Sequence, residues 1–465
     1  MRQRLLLTTM LMLLAAGAAH AQHGFWQPDD RVLITSFLNA RGIATDQRLV
    51  FIATTNGLEI YDQAFKRWLP PSTIEDDYPA RERPLRLAYD ARERGVWLVT
   101  EVGTLSAWST AMQRWQQRFA SDVPPDVVRR LQRPVSDGDP AWAVMRNFAG
   151  RDANGRTWQV TAVDAAERTG TYWAATNGGN FSFVDTRNLS SEPFTYGTVS
   201  RGVSALALAP GGELWFGGDG ASQRNGIARA DTALQEWQHY ESRVADGPQG
   251  RVHAIAASGA GVYAAAADGV YSLRSNRWQR VADVDGRALA HTNGRMWVGA
   301  RGTLGWIDGT DTYQRIELPL QNIHALSAHG DTLWIGAETG LLRWMGGTVQ
   351  EVATGSPVLD VAGSDSGMIT ITPRGVQTWN GNALGLPLRN AALQQIGRAV
   401  SLASRGNRVW VGGTHGLAEW NTTTGAWRYL TVPDDIPEGP VYDVLEESGR
   451  IWLATPAGAL RLNWK

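Results

Sequence analysis

Short apolar runs alternate with polar turns and glycines along almost the whole chain. The final stretch reads VYDVLEESGRIWLATPAGALRLNW, and earlier stretches such as IHALSAHGDTLWIGAETGLLRW and AVSLASRGNRVWVGGTHGLAEW follow the same order. Each contains a strand, a polar turn, an aromatic strand, a glycine turn and a further strand. Short apolar runs bounded by turn residues are typical of β-structure. The pattern predicts an all-β chain, although Pro125 to Leu131 also suits a turn or two of helix.

Aligning the aromatic residue of this unit gives ten copies, most of them spaced close to the roughly 40 to 45 residues of a four-stranded propeller blade. The eighth copy carries a methionine in place of the aromatic. The sequence therefore predicts a β-propeller of about ten four-stranded blade repeats, either one large ring or two fused smaller rings. The anchor residues are Phe51, Trp97, Trp173, Trp215, Tyr263, Trp297, Trp334, Met368, Trp410 and Trp452.

The repeated aromatic and glycine residues suit structural roles. A mid-strand aromatic that packs between neighbouring blades buries roughly 150 to 250 Å². The glycines of Asn56-Gly57, Asp268-Gly269, Thr339-Gly340 and His415-Gly416 are expected to supply the positive φ of tight hairpins. Many copies add a further aromatic in a predicted fourth strand, at Trp68, Trp115, Trp237, Trp278, Tyr313 and Trp427.

The segment Arg31 to Phe37 is interpreted as a strand that completes the last blade. The chain reaches Lys465 just after the third strand of the tenth copy. A blade completed by strands from both ends of the chain leaves few exposed sheet edges.

The N-terminus has the features of a secretory signal over residues 1–21. MRQR is followed by the apolar run LLLTTMLMLLAAGAA and by Ala19-His20-Ala21, an A-x-A cleavage pattern. Residues 22–465 are then the mature repeats, in a periplasmic or secreted protein without membrane insertion after cleavage. An uncleaved anchor is the alternative.

The charge balance and the absence of cysteine exclude several classes. Lys and Arg number 44 against 45 Asp and Glu, which offers no electrostatic case for nucleic acid. Disulfides and thiolate metal sites are excluded because the chain has no cysteine. No metal or cofactor is expected.

The repeats resemble the two-component regulator propeller family. LWIGAETGLLRW, VWVGGTHGLAEW and IWLATPAGALRL carry the resemblance, which spans nearly all of the mature chain. It implies a propeller fold. In that family such propellers are commonly the periplasmic sensor half of hybrid histidine kinases and are taken to sense ligands, often sugars. This sequence departs from the layout because no membrane helix, kinase or receiver segment follows the repeats.

Two departures from the repeat mark candidate interaction loops. One is the inserted region 131–160, where AWAVMRNF and GRTWQV flank Asn154-Gly155 and predict a β-hairpin. The other is the enlarged turn GGDGASQRNG at 217–226. Loops that join strands two and three, and loops that join one blade to the next, emerge on one face, so both are expected there in adjacent blades. Loops that have diverged without a role are the alternative. The candidate residues are Trp142, Arg146, Phe148, Asn154, Gln223 and Arg224.

A second candidate site is the mouth of the central channel. Innermost strands of a propeller converge on its axis, so polar side chains near their beginning can meet in a pocket. The same positions also suit solvated channel residues or hydrogen-bonded fillers. The candidates are Arg41, Arg86, Ser204, His253, Arg287, His324, Asp360, Tyr442 and Asp443.

Together these features predict an exported, non-catalytic module that binds a protein, peptide or glycan and acts as a sensor or an envelope scaffold. The alternative is a propeller lyase or hydrolase with its site at the channel mouth, where His253 and His324 are the best candidates. The G-x-S-x-G, H-E-x-x-H and Gly-rich phosphate motifs are absent from the sequence.

Overall fold

The computed structural model describes residues 20–21, 30–79, 82–132, 150–152, 154–222, 224–316 and 322–464. Four candidate residues of the sequence analysis lie outside these ranges, namely Trp142, Arg146, Phe148 and Gln223, as does nearly all of the predicted signal. The described residues form antiparallel sheets with very little helix, which confirms the all-β, propeller-type fold class. Within these residues the helices are α1 (Pro125–Gln132), α2 (Ala391–Gln395) and the 3-10 turns Ile74–Asp76 and Ala120–Asp122.

Two strands precede the first sheet, β1 (His20–Ala21) and β2 (Arg31–Ile34), and sheets 1 to 5 then follow in chain order with four strands each. Their strands are β3 (Ala40–Thr45), β4 (Leu49–Thr54), β5 (Gly57–Asp62), β6 (Arg67–Thr73), β7 (Pro84–Asp90), β8 (Gly95–Thr100), β9 (Leu105–Ser109), β10 (Trp115–Arg118), β11 (Val160–Ala165), β12 (Thr171–Thr176), β13 (Phe181–Asp185), β14 (Ser190–Phe194), β15 (Val203–Leu208), β16 (Leu214–Gly218), β17 (Gly226–Ala230), β18 (Trp237–Glu241), β19 (Val252–Ser258), β20 (Gly261–Ala266), β21 (Gly269–Arg274) and β22 (Arg277–Ala282).

Sheets 6, 7 and 9 repeat the same order, sheet 8 has three strands, and sheet 10 has three strands from the end of the chain. Their strands are β23 (Gly286–Thr292), β24 (Arg295–Ala300), β25 (Thr303–Ile307), β26 (Tyr313–Ile316), β27 (Ile323–His329), β28 (Thr332–Ala337), β29 (Gly340–Met345), β30 (Thr348–Thr354), β31 (Asp360–Ser364), β32 (Gly367–Thr372), β33 (Gly375–Thr378), β34 (Ala399–Arg405), β35 (Arg408–Gly413), β36 (Gly416–Asn421), β37 (Trp427–Thr431), β38 (Asp443–Glu447), β39 (Arg450–Thr455) and β40 (Gly458–Asn463).

All ten anchor residues lie in the second strand of their sheet and are buried. Trp410 and Trp452 are fully buried, and Trp334, the most accessible of the ten, is only 6% exposed. Burial of apolar side chains, including these large rings, is the main source of stability available to a chain without disulfides. The repeat alignment is confirmed at every copy, including Met368 in β32.

At two of the four glycine turns, the glycine does not supply the positive φ that the sequence predicts. Gly340 has a positive φ of 142°, but Gly57 and Gly416 do not lie in the left-handed region. A Cβ atom at Gly416 would lie 2.3 Å from the Leu430 carbonyl oxygen. Glycine is required there because the neighbouring strand approaches too closely for a side chain.

The chain divides into two compact units. The first contains Trp26–Arg280, Gly449–Trp452 and Ala457–Lys465, and the second contains Met1–Phe25, Val281–Ser448 and Leu453–Pro456. In the second unit the first strands of successive sheets pack side by side in the order β23, β27, β31, β34 and β38.

The first unit departs from chain order, because β3 lies between β7 and β11. On one side, Phe51 of sheet 1 packs against Trp108 of sheet 2. On the other, Tyr61 packs against Trp173 of sheet 3. Sheet 2 is covered on its far face by α1, through Val127. Sheet 1 is therefore enclosed between sheets 2 and 3.

The edges of the sheets are completed by segments from elsewhere in the chain. β2 pairs antiparallel with β40, with Arg31 opposite Leu462, and therefore covers residues 31–34 of the predicted 31–37. β1 pairs in parallel with β37. In sheet 8 the segment after β33 supplies amides instead of a fourth strand, because Gly385 and Leu388 donate to the carbonyls of Thr378 and Val376.

Candidate functional site

Two classes of loop lie at the same end of the strands in each sheet. One class joins the second strand to the third, and the other joins one sheet to the next. A backbone hydrogen bond joins the two loop classes repeatedly, from Asn177 to Gln159, Asp219 to Gly202, Arg301 to Asp285, Glu338 to Asn322 and Thr414 to Arg398. These bonds are 2.9 to 3.2 Å long. The chain therefore has a common loop face within each unit, as the strand order predicts.

The two enlarged loops of the first unit meet at Glu241, the last residue of β18. Arg156 comes from the end of the inserted region, and Arg224 comes from the enlarged turn after β16. Arg156 Nη1 donates to Glu241 Oε2 at 2.9 Å, and Arg224 Nε donates to the same oxygen at 3.2 Å. The Nη2 groups of both arginines donate to Glu241 Oε1. One carboxylate thus holds both loops; we call Arg156, Arg224 and Glu241 the arginine clamp.

The electrostatics of the clamp keep Glu241 ionised. Burial alone would raise the pKa of this carboxyl, but hydrogen bonds from Arg156 and Arg224 outweigh that effect and lower the pKa to about 2. The side chain of Glu241 is 9% exposed, whereas those of Arg156 and Arg224 are 31% and 26% exposed. Charge-assisted pairs of this kind are among the stronger hydrogen bonds in proteins.

Asp152 organises the turn that carries Arg156. Its Oδ1 accepts from the backbone amides of Asn154 and Arg156 at 2.9 Å each. Its Oδ2 accepts from Arg156 Nε at 2.7 Å and from Trp158 Nε1 at 2.9 Å. A turn forms at Asn154-Gly155, with a bridge between Arg151 and Thr157. The segment AWAVMRNF, which was expected to form the other strand of the hairpin, lies outside the described residues.

Trp158 locks this turn onto sheet 3. The guanidinium carbons of Arg156 and Arg224 lie 5.1 and 4.7 Å from its ring centroid, within cation–π distance. Arg224 Nη1 also donates to the Gly178 carbonyl. A Cβ atom at Gly178 would lie 2.3 Å from the Trp158 ring, so the indole packs directly on the backbone of the turn between β12 and β13.

We expect Gly178→Ala to displace Trp158 and destabilise the first unit by about 1 to 3 kcal/mol, as overpacking does in a tight site. The measurement is the urea midpoint followed by tryptophan fluorescence. Gly259→Ala is the matched control, because a Cβ atom there meets nothing within 4 Å. Equal midpoints for the two variants would contradict the packing described for Trp158.

Two adjoining cavities of about 380 and 390 Å³ lie beside the arginine clamp. The first, called the arginine cavity, is lined by Arg156, Arg224, Arg243, Glu241 and Ser222 among others. The second includes Asn154, Trp237, Gln238 and His239. The arginine cavity lies among the loops of sheets 3 and 4, whereas the second cavity extends along β18 to Asn276 and Arg277, at the turn between β21 and β22.

His239 belongs to the second cavity but is held as a neutral side chain. Its Nε2 lies 2.7 Å from the Gly197 carbonyl oxygen. In the neutral tautomer that carries its proton on Nε2, this nitrogen donates a hydrogen bond to that oxygen. Burial lowers the pKa of His239 to about 4, so the imidazole carries no charge at neutral pH. Its Nε2 proton is therefore bonded to the Gly197 carbonyl and is not free to bind a ligand.

The interaction residues chosen from the sequence are partly the ones that the structure brings together. Asn154 and Arg224 lie at the two cavities. Asp152, Arg156, Trp158 and Glu241 also contribute to the site and were not among the residues predicted from the sequence. Arg156 and Trp158 stand in the quoted segment GRTWQV, so the hairpin pattern was a usable signal for them, whereas nothing in the strand pattern distinguishes Glu241.

The channel-mouth candidates share a backbone feature, because eight of the ten sheets have a register shift at the start of the first strand. Such β-bulges place one residue outside the ladder and redirect its side chain. The displaced residues include five of the candidates, namely Arg41, Ser204, His253, Arg287 and His324.

Several of these candidates are engaged within the protein. Ser204 is buried, and its hydroxyl lies 2.7 Å from the Val252 carbonyl oxygen. Arg287 pairs with Asp285 at 2.7 Å, and His324 Nε2 lies 3.0 Å from Glu338 Oε2. Arg41, Arg86, His253 and Tyr442 are partly buried.

Asp360 and Asp443 interact electrostatically within the second unit. Asp360 Oδ2 accepts from the Leu402 amide at 2.7 Å and so links neighbouring first strands. Burial raises the pKa of Asp360 to about 7, and the charge of Asp443 adds to the effect. Neither cavity beside the arginine clamp is lined by any of the nine channel-mouth candidates.

The fold and its loop face define an all-β protein assembled from propeller-type sheets. Within the described ranges, no helix is long and apolar enough to cross a membrane. The same part of the chain holds no group of three or more histidine, aspartate or glutamate side chains arranged to bind a metal ion.

Comparison with known proteins relates the chain to solved structures only. No family model matches the sequence, and no curated protein matches it. The extracellular domain of the one component system BT4673 from B. thetaiotaomicron is 13% identical with a TM-score of 0.46, over 92% of this chain and 71% of that one. PorZ, a surface component of the type-IX secretion system of Porphyromonas gingivalis, is 12% identical with a TM-score of 0.25, over 91% of this chain and 63% of that one. Similarities at this level assign neither family nor function.

Proposed function

We propose that this protein is an exported, non-catalytic recognition module that binds a protein, peptide or glycan through the loop face of sheets 3 and 4. Export is supported by the N-terminal charge, the apolar run and the A-x-A pattern of residues 1–21. The resemblance of the repeats to sensor-type propellers favours ligand sensing or scaffolding over catalysis.

The observation that carries the proposal is the convergence of the two main departures from the repeat on one carboxylate. Arg156 and Arg224 both donate to Glu241, and the resulting cluster borders two cavities. Loops that are positioned by a rigid β-scaffold are where binding residues are commonly found. The clamp holds two irregular loops in one arrangement, and such preorganisation lowers the entropic cost of binding.

A single-cysteine experiment tests where recognition occurs, because the native chain has no cysteine. Asn154→Cys places a thiol on the loop face. Ala233→Cys places one at the other end of the strands of sheet 4, in the turn between β17 and β18. Both positions are exposed. Each variant is modified with a large maleimide and applied to glycan and peptide arrays.

We expect the protein modified at residue 154 to lose the array signal of the unmodified protein, and the protein modified at residue 233 to keep it. A signal that survives modification at residue 154 contradicts the proposed surface. Chemical conversion of the bound probe, detected by mass spectrometry, contradicts the non-catalytic assignment.

A further inference from the structure

We infer that the arginine cavity binds a ligand through a carboxylate group, with Arg243 as the residue that contacts it most directly. The inference rests on the proposed function and names the chemistry of the ligand. It follows from the hydrogen-bonding capacity that remains at the site, from its charge and from the position of Arg243.

The arginine clamp has used up its acceptors but not its donors. Glu241 accepts from both guanidinium groups on both of its oxygens. A guanidinium offers about five N–H donors, and the bonds of Arg224 to Glu241 and Gly178 use three of them. Ser222 Oγ accepts from the Arg201 amide at 3.2 Å, and among the described residues no acceptor takes its own proton. The lining is therefore complementary to a ligand rich in acceptors.

Arg243 adds a cation that no carboxylate in the described part of the chain neutralises. It follows β18 by two residues, lines the cavity and is exposed. Among the described residues, no carboxylate forms an ion pair with it, in contrast to Arg156 and Arg224. An exposed guanidinium at the mouth of a cavity attracts anions and can bind a carboxylate in bidentate geometry.

The charge of the cluster matches one negative group. Arg156, Arg224 and Arg243 supply three positive charges, and Glu241 and Asp152 supply two negative ones. The low pKa of Glu241 keeps it ionised at neutral pH, so the cluster has a net charge of +1. A single carboxylate restores neutrality, and Glu241 shows that the clamp arginines already hold this group.

A carboxylate of this kind is carried by an acidic sugar or by the C-terminus of a peptide. The probes are D-glucuronate and N-acetylglycylglycine, and the neutral controls are D-glucose and N-acetylglycylglycinamide. Binding is measured by isothermal titration calorimetry at low and physiological ionic strength. We expect binding of one or both carboxylates, weakening as salt rises, and no binding of the neutral controls. Binding of one alone identifies the source of the carboxylate.

Arg243→Ala is expected to weaken binding of the carboxylate roughly tenfold, the factor that corresponds to one charge-assisted hydrogen bond. Arg243→Lys is expected to recover part of the loss, because it restores the charge without the planar donor pair. Arg92→Ala is the matched control, since Arg92 is exposed in the turn between β7 and β8, away from the loop face.

The inference is overturned if neither carboxylate binds, or if Arg243→Ala binds as the unaltered protein does. Its failure can be separated from failure of the proposed function. An array ligand that is blocked by modification at residue 154 but unaffected by Arg243→Ala would leave the recognition surface in place and remove the carboxylate site.

Discussion

Replacing Glu241 by alanine is expected to lower the stability of the first unit by roughly 2 to 3 kcal/mol, between the small values of exposed ion pairs and the larger values of buried ones. The substitution leaves two partly buried arginines without their shared acceptor. It also removes the connection between the inserted region and the enlarged turn. The measurement is the urea midpoint at pH 7, with exposed Glu236→Ala as the matched control.

The effect of Glu241→Ala should depend on pH in a defined direction. Glu241 has a pKa of about 2 in the folded protein, below its ordinary value of 4.5. A depressed carboxyl pKa contributes stability that is fully present above the unfolded value and is lost as pH falls through the folded one. The difference between the variant and the unaltered protein should therefore shrink between pH 4.5 and pH 2. A difference that stays constant over this range would show that Glu241 acts without its charge.

Replacing Glu59 by glutamine is expected to make the first unit more stable at pH 8, by at least about 1 kcal/mol. Glu59 lies on β5 with no exposed surface, and none of the described donors forms a well-aligned hydrogen bond with its carboxylate oxygens. Burial raises the pKa of Glu59 well above its ordinary value, and the Asn180 amide offsets this only in part. Glutamine keeps the shape of the side chain and removes the cost of burying a charge.

The pH dependence of the Glu59 variant has the opposite sign to that of Glu241. Because the folded pKa lies above the unfolded value, the folded protein retains a proton that the unfolded chain releases. Stability is therefore lost as pH rises above about 4.5 towards the folded pKa, and Glu59→Gln should be insensitive in that window. Urea midpoints at pH 4 and pH 8 measure the effect, with Glu236→Gln as the control. A stability gain already present in full at pH 4 would contradict a protonated Glu59.

The repeats were predictable because their signal is local. Every anchor from Phe51 to Trp452 falls in the second strand of its sheet, as the alignment requires. Strand alternation and aromatic burial are imposed by neighbouring residues, so a single sequence carries them. The same holds for α1. The pairing of β2 with the final sheet is not local; it was inferred because the tenth copy lacks a fourth strand, and it spans fewer residues than expected.

The roles of individual glycines were less accessible. Gly57 and Gly416 stand in glycine turns, but neither needs a positive φ. The requirement at Gly416 comes from the carbonyl of Leu430 on the adjacent strand. A contact of this kind depends on how closely two strands approach, and the composition of the turn alone does not contain that distance.

The candidate site was predicted mainly by region, and by residue only at Asn154 and Arg224. Loop length and strand order pointed to the two enlarged loops and to Arg224. They did not identify Glu241, which is 85 residues from Arg156 along the chain. The channel-mouth residues were chosen by position in the strand, and the recurring β-bulge explains why several of them leave the ladder.

The sequence by itself determined the all-β repeat, the buried aromatic of each sheet and the loops that depart from the pattern. These features follow from the spacing of residues within one hairpin or one repeat. Only the tertiary structure decided that β3 lies between β7 and β11, and that Arg156 and Arg224 both form ion pairs with Glu241. Those relations join segments far apart in the chain, and they are fixed by how whole sheets pack against each other.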